Sequence, residues 1–357
     1  MTEGNGTVKK AGWGCIGCGL GLLTGLIALL GAISLGLYGL GCVFSGYETT
    51  ASNHSPDDPE NLEEEYVQGK RGDNLPKIAV IDVRGIIASG EDAFSGNVAD
   101  PKQIRTRIRR AAADPKVRAM IVNLNTPGGE VVASDEIYAE IKRFRLQTGK
   151  PAVAMMNTMA ASGGYYVAAA CSPIVANKLT LTGSIGVIIS ACNYRGLFEK
   201  LGLQTEVYTS GKMKDMLNGA RVRTPEEVAV VRNLVNNTYE EFIRIVAESR
   251  RIPAEKIRNS EIGDGRIFDG GQAKKLGLVD TLGYFSSAVE IAAKTAGLKP
   301  DSYTVVRYKE PFSFSRLISI LSARIGTVPV NVTFADAVRG QGFRPKRGML
   351  YYLPAEY

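Results

Sequence analysis

The chain has 357 residues, of which 45% are hydrophobic, and carries a formal net charge of +7. This length and composition indicate a globular body with additional regions. Its single histidine, His54, precedes that body, which therefore has no imidazole for a Ser-His-Asp or Cys-His site and too few ligands for a usual zinc site. We expect no metal and no cofactor. The two body cysteines, Cys171 and Cys192, are expected to be buried free thiols, with a pairing between them as the alternative. No basic motif is interleaved with aromatic residues, so the charge favours a membrane surface or solubility over nucleic acid.

The N-terminal segment has the composition of a membrane anchor. No charged residue occurs from Ala11 to Tyr47, a longer stretch than the ~20 residues that a membrane helix needs. Lys9 and Lys10 precede it and acidic residues follow it, so the positive-inside rule places the N-terminus in the cytoplasm and the body outside. The alternative is two short spans, which would return the body to the cytoplasm. We predict a cytoplasmic N-terminus at 1–10, a single transmembrane anchor at 11–45 and an acidic linker at 46–76.

The body, assigned to 77–300, alternates apolar strands with helices. Strands are predicted at 78–83, 119–124, 153–156 and 203–209, and helices at 101–113, 131–145, 165–170, 225–251, 269–276 and 285–296. Strands separated by helices imply parallel pairing with crossover helices, and hence an α/β fold. Residues 301–357 form a basic C-terminal extension that ends in a hydrophobic tail.

Ser162 lies where a strand, followed by a turn at 157–161, leads into an apolar helix opened by Gly163 and Gly164. A serine at this point is held near the positive end of the helix dipole, beside backbone N–H groups that can receive negative charge. This is how a nucleophile is presented. The alternative is that Ser162 only caps the helix, because serine is a preferred N-cap residue.

A second glycine-rich turn, Pro127-Gly128-Gly129, follows the preceding strand. Parallel strands present their carboxyl ends at one edge of the sheet, so this turn is predicted to lie beside Ser162. The N–H groups of Gly129 and Gly163 would then form an oxyanion hole. The alternative is an ordinary tight turn.

Without a histidine, a general base must be a lysine, a tyrosine or a carboxylate. Lys212 and Lys214 follow the strand predicted at 203–209, beside Met213 and Met216. A lysine acts as a base only when its amine is uncharged, which requires burial or nearby positive charge. The alternative is a solvated loop lysine.

Four runs, in order, resemble the bacterial signal peptide peptidase A family over roughly residues 75–300: NTPGG (125–129), MAASGGYYVAAA (159–170), TGSIGV (182–187) and SGKMKDM (210–216). The resemblance implies an α/β fold with a Clp/crotonase-like parallel-sheet core and crossover helices, preceded by an N-terminal transmembrane helix. It implies a serine peptidase with a Ser-Lys dyad. Carried over to this sequence, it makes Ser162 the nucleophile and Lys214, rather than Lys212, the general base. Ser184 would orient the lysine, and Gly129 and Gly163 would donate to the oxyanion.

The same resemblance implies an endopeptidase of the bacterial inner membrane, with its catalytic domain outside the cytoplasm. Its substrates would be remnant signal peptides and other hydrophobic peptides, and it would contact membrane lipid. It would assemble as a ring-like homo-oligomer, and no nucleic acid partner is expected. The hydrophobic C-terminal tail is predicted to reach the groove of a neighbouring subunit. Two alternatives stay open: a membrane-anchored scaffold with a vestigial site, and a crotonase-like acyl-CoA enzyme.

Overall fold

A computed structural model describes residues 59–90 and 98–310, together with the backbone of 351–352. The membrane anchor predicted at 11–45 lies outside these ranges. Among the residues inside them, none forms a helix that is both long and apolar enough to cross a bilayer.

Strands and helices alternate over most of the described chain, as the apolar pattern predicts. The strands are β1 (Glu63–Gly69), β2 (Lys77–Arg84), β3 (Ile86–Ile87), β4 (Val98–Ala99), β5 (Val117–Thr126), β6 (Gly129–Glu130), β7 (Ala152–Ala161), β8 (Ile174–Ala176), β9 (Leu181–Gly183), β10 (Ile267–Asp269), β11 (Thr281–Leu282), β12 (Thr304–Lys309) and β13 (Tyr351–Tyr352). The helices are α1 (Pro101–Ala113), α2 (Val131–Thr148), α3 (Gly163–Ala168), α4 (Arg195–Lys200), α5 (Pro225–Arg250), α6 (Ala254–Arg258), α7 (Gly270–Lys275) and α8 (Phe285–Thr295).

The main sheet has the order β1-β12-β2-β5-β7-β8-β11, with β9 beside the end of β7 and β10 beside β9. Pairing is parallel from β12 through β2, β5, β7 and β8 to β11, and antiparallel only for β1 with β12 and for β10 with β9. The central strands are buried on both faces because helices cover both sides, which explains their nearly continuous apolar sequences. Helix α8 covers one face, and α1, α2, α3 and α5 cover the other. The predicted parallel α/β core is confirmed.

Local signals set the helix boundaries. Asp100 accepts a hydrogen bond from the Lys102 N–H at 3.0 Å, with Pro101 in the first turn of α1. At α5, Thr224 and Glu227 form a reciprocal capping box, with Pro225 in the first turn. A side chain that accepts from the first free N–H groups stabilises a helix by about 1 kcal/mol, so such residues define where a helix begins.

The sheet extends beyond the body assigned to 77–300. β1 comes from the predicted linker, and β12 from the predicted C-terminal extension. They pair with each other in an antiparallel register, and β12 adds in parallel to β2. The sequence of β1, EEEYVQG, is acidic because this edge strand is largely solvated. Because its charged residues are typical of a linker, the sequence alone does not predict this strand.

The strand predicted at 203–209 is wrong. No helix or strand occurs between Leu201 and Thr224, and Leu203, Val207 and Tyr208 are at least half exposed. An apolar alternation forms a strand only where a neighbouring strand supplies hydrogen bonds, and the described part of this chain offers none here. The lysines that follow consequently do not lie at the end of a buried strand.

Candidate active site

Ser162 directly follows strand β7, and a bulge near the end of that strand determines how the serine is presented. Leu124 pairs with Met156 but Thr126 pairs with Ala160, so β7 has two more residues than β5 in this interval. The turn predicted at 157–161 is therefore wrong, because the strand absorbs the extra residues and continues to Ala161. Bulges re-aim the side chains that follow them, and here the residue that follows is Ser162.

Asparagine side chains hold this bulge. Asn157 Nδ2 donates to Asn123 Oδ1 at 2.7 Å and to the Leu124 carbonyl at 3.2 Å. The Met159 N–H donates to Asn125 Oδ1 at 3.3 Å. Asn123 also donates to Asp82 Oδ1 at 2.6 Å, so the polar row runs across three adjacent strands. The side chains replace the ladder bonds that the bulge interrupts.

Ser162 has the backbone of a residue under strain. Its φ is 55° and its ψ is −117°, a combination that glycine tolerates and that other residues adopt at a cost of about 1–3 kcal/mol. The side chain is 1% exposed, and Oγ makes no hydrogen bond within the described residues. It occupies the N-cap position of α3, but its side chain makes no capping hydrogen bond. The hydroxyl therefore does not have the role that a capping serine has, and it is buried and unpaired among the described residues at the start of the helix.

Two glycine turns flank this serine. On one side, the end of β5 packs against α3 so closely that a Cβ on Gly164 would lie 2.7 Å from Thr126 Cγ2. The Thr126 hydroxyl accepts from the Gly128 N–H at 3.0 Å and thereby shapes the turn that ends in Gly129. A Cβ on Gly129 would lie 1.9 Å from the Ile87 carbonyl oxygen, so only glycine fits there.

On the other side, the Ser162 N–H donates to the Gly183 carbonyl at 2.8 Å. Ser184 follows directly; it is 6% exposed, and its φ of 50° is again positive. Its own N–H donates to the Arg266 carbonyl at 2.8 Å. The run TGSIG therefore lies beside the serine, as the order of the motifs in the sequence suggests.

Lys214 is the predicted site residue that the single chain does not bring to Ser162. It lies in a series of turns between α4 and α5, its side chain is exposed, and Ser162 Oγ has no hydrogen-bond partner among the described residues. Lys212 is separately engaged, because its Nζ contacts both carboxylate oxygens of Glu226 at 3.0 Å.

Two free thiols and one partly buried lysine of the described body do not fit the site. Cys171 is a free thiol whose pKa burial raises to about 12, so it stays protonated and unreactive, and Cys192 is free but exposed rather than buried as expected. Burial lowers the pKa of Lys150, but its amine caps the end of α1, donating to the Asp114 carbonyl at 3.0 Å. Lys150 precedes β7 and Ser162 follows it, so a ten-residue strand, roughly 30 Å long, separates them.

Residues 144–299 match Peptidase family S49. A protein of Enterococcus faecium named for signal peptide peptidase SppA is 36% identical over 312 residues, which cover 85% of each chain. A protein of Synechocystis sp. named as a protease is 36% identical over 263 residues, covering 74% of this chain and 90% of its own. The chain belongs to the signal peptide peptidase A family. Protease 4 of Salmonella typhi is 37% identical over 222 residues, which are 62% of this chain and 35% of that protein. The family resemblance seen in the sequence is confirmed, and membership supports a peptidase activity.

Some residues that shape this family member's site escaped the sequence analysis. Thr126 precedes the glycine turn, and the asparagines of the bulge read as ordinary turn residues. Arg221 donates hydrogen bonds both to Asp215, the neighbour of Lys214, and to Glu227, and the interval between Asp215 and Arg221 has no regular structure. The signal for Glu227 was present as the Thr-Pro-Glu-Glu run of a capping box, whereas nothing in the sequence indicates that Arg221 turns towards both carboxylates.

The C-terminal tail also approaches this edge of the molecule. The backbone of Tyr351–Tyr352 pairs in antiparallel fashion with β6, with Tyr352 opposite Gly129 and Tyr351 opposite Glu130. The prediction that the tail reaches the groove of a neighbouring subunit is not tested by the single chain, in which the backbone of these two residues pairs with the chain's own β6. The free edge of β6 thus accepts an extended segment.

Proposed function

We propose that this chain is a membrane-anchored serine endopeptidase in which Ser162 is the nucleophile. One observation carries the proposal: a buried hydroxyl without a hydrogen-bond partner, on a strained backbone, at the junction of β7 and α3. Strain and an unpaired buried polar atom both cost stability, and they are retained at positions where function requires them. Family membership supports the peptide bond as the target.

The oxyanion formed by attack on a peptide carbonyl would be bound by the N–H groups of Gly129 and Gly163. Gly163 is the first residue of α3, and the first N–H groups of a helix have no carbonyl partner within it. Gly129 ends the turn shaped by Thr126, with its backbone fixed against Ile87. Fixed donors of this kind stabilise developing negative charge without having to reorient.

Lys214 is the proposed general base, supplied to Ser162 by a second copy of the chain. Among the described residues of one chain, Ser162 Oγ has no partner and Lys214 is exposed, so the proposed dyad needs a contact that these residues do not make. The segment that bears Lys214 also exposes Leu203, Val207 and Tyr208, apolar side chains that an interface between copies would bury. Enclosure there would remove water from the amine and favour its uncharged form. Ser184, buried beside Ser162, would orient the amine.

In this mechanism the uncharged Lys214 amine takes the proton of Ser162 Oγ as the oxygen attacks the scissile carbonyl carbon. The resulting ammonium returns that proton to the leaving amide nitrogen when the C–N bond breaks. Water, deprotonated by the same amine, then attacks the acyl-enzyme ester and regenerates Ser162. Because the reactive amine must be uncharged, activity is expected to rise from neutral to alkaline pH.

The proposed substrates are hydrophobic peptides in extended form, above all signal peptides left after secretory processing. Pairing of the tail with β6 supports binding by strand addition, in which backbone hydrogen bonds supply affinity and alternate side chains supply selectivity. The anchor predicted at 11–45 would hold the enzyme in the bacterial inner membrane with its body outside the cytoplasm, close to such peptides.

Turnover of a synthetic signal peptide by the full-length protein tests these assignments, beside labelling by a fluorophosphonate. Ser162→Ala should lose turnover and labelling, Lys214→Ala should lose at least about 100-fold in kcat, and Lys212→Ala, the matched control, should stay near wild type. Mixing the Ser162→Ala and Lys214→Ala chains should restore part of the activity if the lysine comes from a second copy. Labelling that survives Ser162→Ala would refute the nucleophile.

The same measurements separate the alternatives. A vestigial scaffold would show no turnover and no labelling in the wild type. A crotonase-like enzyme would turn over an acyl-CoA thioester instead of the peptide. Neither alternative explains why a serine hydroxyl is left unpaired at this junction.

A further inference from the structure

The position of Lys214 is not set by a helix or a strand. Residues 211–221, which we term the Lys214 loop, consist of turns closed by backbone hydrogen bonds, such as that from the Lys214 N–H to the Gly211 carbonyl at 3.0 Å. A lysine has a flexible four-carbon side chain, so the amine of a lysine on a loop is positioned only if the loop backbone itself is held in place. The neighbouring residue, Asp215, provides one.

Arg221 binds Asp215 with a fork of two hydrogen bonds. Its Nε donates to Asp215 Oδ2 at 2.9 Å and its Nη2 donates to Oδ1 at 2.7 Å. The loop is closed further by the Asn218 N–H, which donates to the Asp215 carbonyl at 2.8 Å. Hydrogen bonds from Arg221 hold the pKa of Asp215 at about 2, so the carboxylate stays ionised over the working range. A two-point bond of this type fixes orientation as well as distance.

The same guanidinium reaches the start of a long helix. Arg221 Nη1 donates to Glu227 Oε2 at 3.0 Å, and Nη2 contacts the other carboxylate oxygen. Glu227 is 2% exposed, and its carboxylate also accepts from the Thr224 N–H at 2.7 Å as part of the capping box. Helix α5 is 26 residues long, and its buried face includes Phe242 and Ile243. Glu227 is therefore a rigid point of the body.

We propose that Arg221 is a positioning residue for the general base, clamping the Lys214 loop to the N-terminus of α5 through Asp215 and Glu227. The inference rests on the proposed function, in which Lys214 is the base. A single cation bonded to a carboxylate of the loop and to a carboxylate of α5 converts the loop into a fixed arm that can present Lys214 to another copy. Lysine cannot replace Arg221, because one ammonium does not form the two forks.

The clamp also sets the charge around the base. Besides Lys214 itself, the charged side chains from residue 211 to the first turn of α5 are Lys212, Asp215, Arg221, Arg223, Glu226 and Glu227. Lys212 and Glu226 neutralise one another as an exposed pair. Removing Arg221 leaves the carboxylates of Asp215 and Glu227 uncompensated, which favours the charged lysine. Replacing Asp215 with asparagine removes a negative charge and favours the uncharged lysine.

Opposite shifts of the pH profile test the clamp. With full-length protein and a synthetic signal peptide, Arg221→Met should lower kcat by about 100-fold, the penalty typical of a misplaced catalytic group, and Arg221→Lys should restore little of it. The alkaline rise in kcat/KM should move to higher pH in Arg221→Met and to lower pH in Asp215→Asn. Arg244→Met is the matched control: it removes an arginine that also joins two carboxylates, Glu241 and Glu248, on the exposed face of α5, and it should leave both readouts unchanged.

A purely structural role would lower the activity of both variants in proportion to their folded fraction and would leave the pH profile in place, and that result overturns the inference. If Arg221→Met does not fold, Asp215→Asn, which keeps the Arg221–Glu227 contact, decides by the direction of its shift. The proposed function is judged separately from Lys214→Ala. An active Lys214→Ala refutes the base itself, whereas an inactive Lys214→Ala with an unshifted Arg221→Met refutes only the clamp.

Discussion

The strained backbone of Ser162 has a measurable consequence in the stability of two variants. Its φ of 55° and ψ of −117° suit glycine, so Ser162→Gly relieves strain that Ser162→Ala retains. Such strain costs about 1–3 kcal/mol, and the greater freedom of glycine in the unfolded chain returns about 0.5–1 kcal/mol of it. We expect Ser162→Gly to be more stable than Ser162→Ala by about 1 kcal/mol. Both variants lack the hydroxyl, so the difference does not depend on what contacts Oγ.

Ser134 supplies the control. It is fully buried in α2, where its hydroxyl donates to the Glu130 carbonyl at 2.8 Å. Its backbone is helical, and in a helix glycine is about 1 kcal/mol less favourable than alanine. Ser134→Gly should therefore be less stable than Ser134→Ala. The glycine-minus-alanine difference has opposite signs at the two serines, and the two values should lie about 2 kcal/mol apart.

Urea unfolding of the four variants, followed by circular dichroism at one protein concentration, measures both differences. The m-values should agree within each pair, so that the midpoints report stability. If Ser162→Ala is as stable as Ser162→Gly, or more so, the backbone at this position carries no strain that glycine relieves. The structural reason for regarding the serine as more than a helix start would then be lost.

Three further predictions follow from the same structure. Gly129→Ala should lower kcat/KM at least about 100-fold, because the added Cβ would lie 1.9 Å from the Ile87 carbonyl oxygen and force the oxyanion turn to move. Gly149→Ala is the control: its Cβ would meet no atom within 4 Å, and its φ of 67° makes the substitution strained, so it should lose some stability but keep its activity. An active Gly129→Ala would contradict the placement. Arg250→Met should destabilise the protein by about 2 kcal/mol, because it removes the ion-pair partner of Asp280. The Arg250 side chain is buried, but that of Asp280 is about one-third exposed, so solvent screens part of the interaction. Burial raises the pKa of Asp280, but the hydrogen bonds from Arg250 and from the Ile174 N–H, together with the charge of Arg250, outweigh it and hold that pKa below its usual range. The difference in unfolding free energy between wild type and Arg250→Met should therefore be full at neutral pH and shrink as the pH falls through the lowered pKa of Asp280. A stability difference that stays constant down to acid pH would contradict this. Deleting residues 346–357 should raise peptide turnover, because the tail pairs along β6; unchanged turnover at unchanged particle mass would show that the tail does not compete with substrate.

The elements predicted correctly are those whose causes lie close together in the sequence. Helix α1 begins at Asp100-Pro101 and α5 at Thr224-Pro225 because a capping side chain and a proline stand next to an amphipathic stretch. The central strands are apolar on both faces, which is typical of a parallel sheet covered by helices. In each case the deciding contacts are local or are averaged over a whole strand.

The elements predicted wrongly depend on partners distant in the chain. β1 is a strand because β12, more than 200 residues later, pairs with it, and its own acidic sequence reflects only its solvent-exposed edge. Residues 203–209 have the alternation of a strand but no strand beside them in the described chain. The bulge in β7 is held by Asn123 and Asn125 of the neighbouring strand. These partners lie more than 30 residues earlier in the chain, so residues 157–161 considered alone have only the composition of a turn.

The residues of the candidate site also differ in whether their positions could be predicted from the sequence. Ser162, Gly163 and the glycine turn at 127–129 come together because adjacent parallel strands end at one edge of the sheet, a relation that strand order alone predicts. Lys214 lies on a loop that Arg221 contacts through Asp215, and no periodicity or motif in the sequence indicates that contact. Under the proposed function, the nucleophile is built into the sheet of each chain, whereas the base acts only where a second copy receives it. Assembly would then be a condition of activity, because among the described residues of one chain Ser162 Oγ has no partner and Lys214 is exposed. Dilution below the association range should therefore abolish turnover while leaving Ser162 and its oxyanion donors in place.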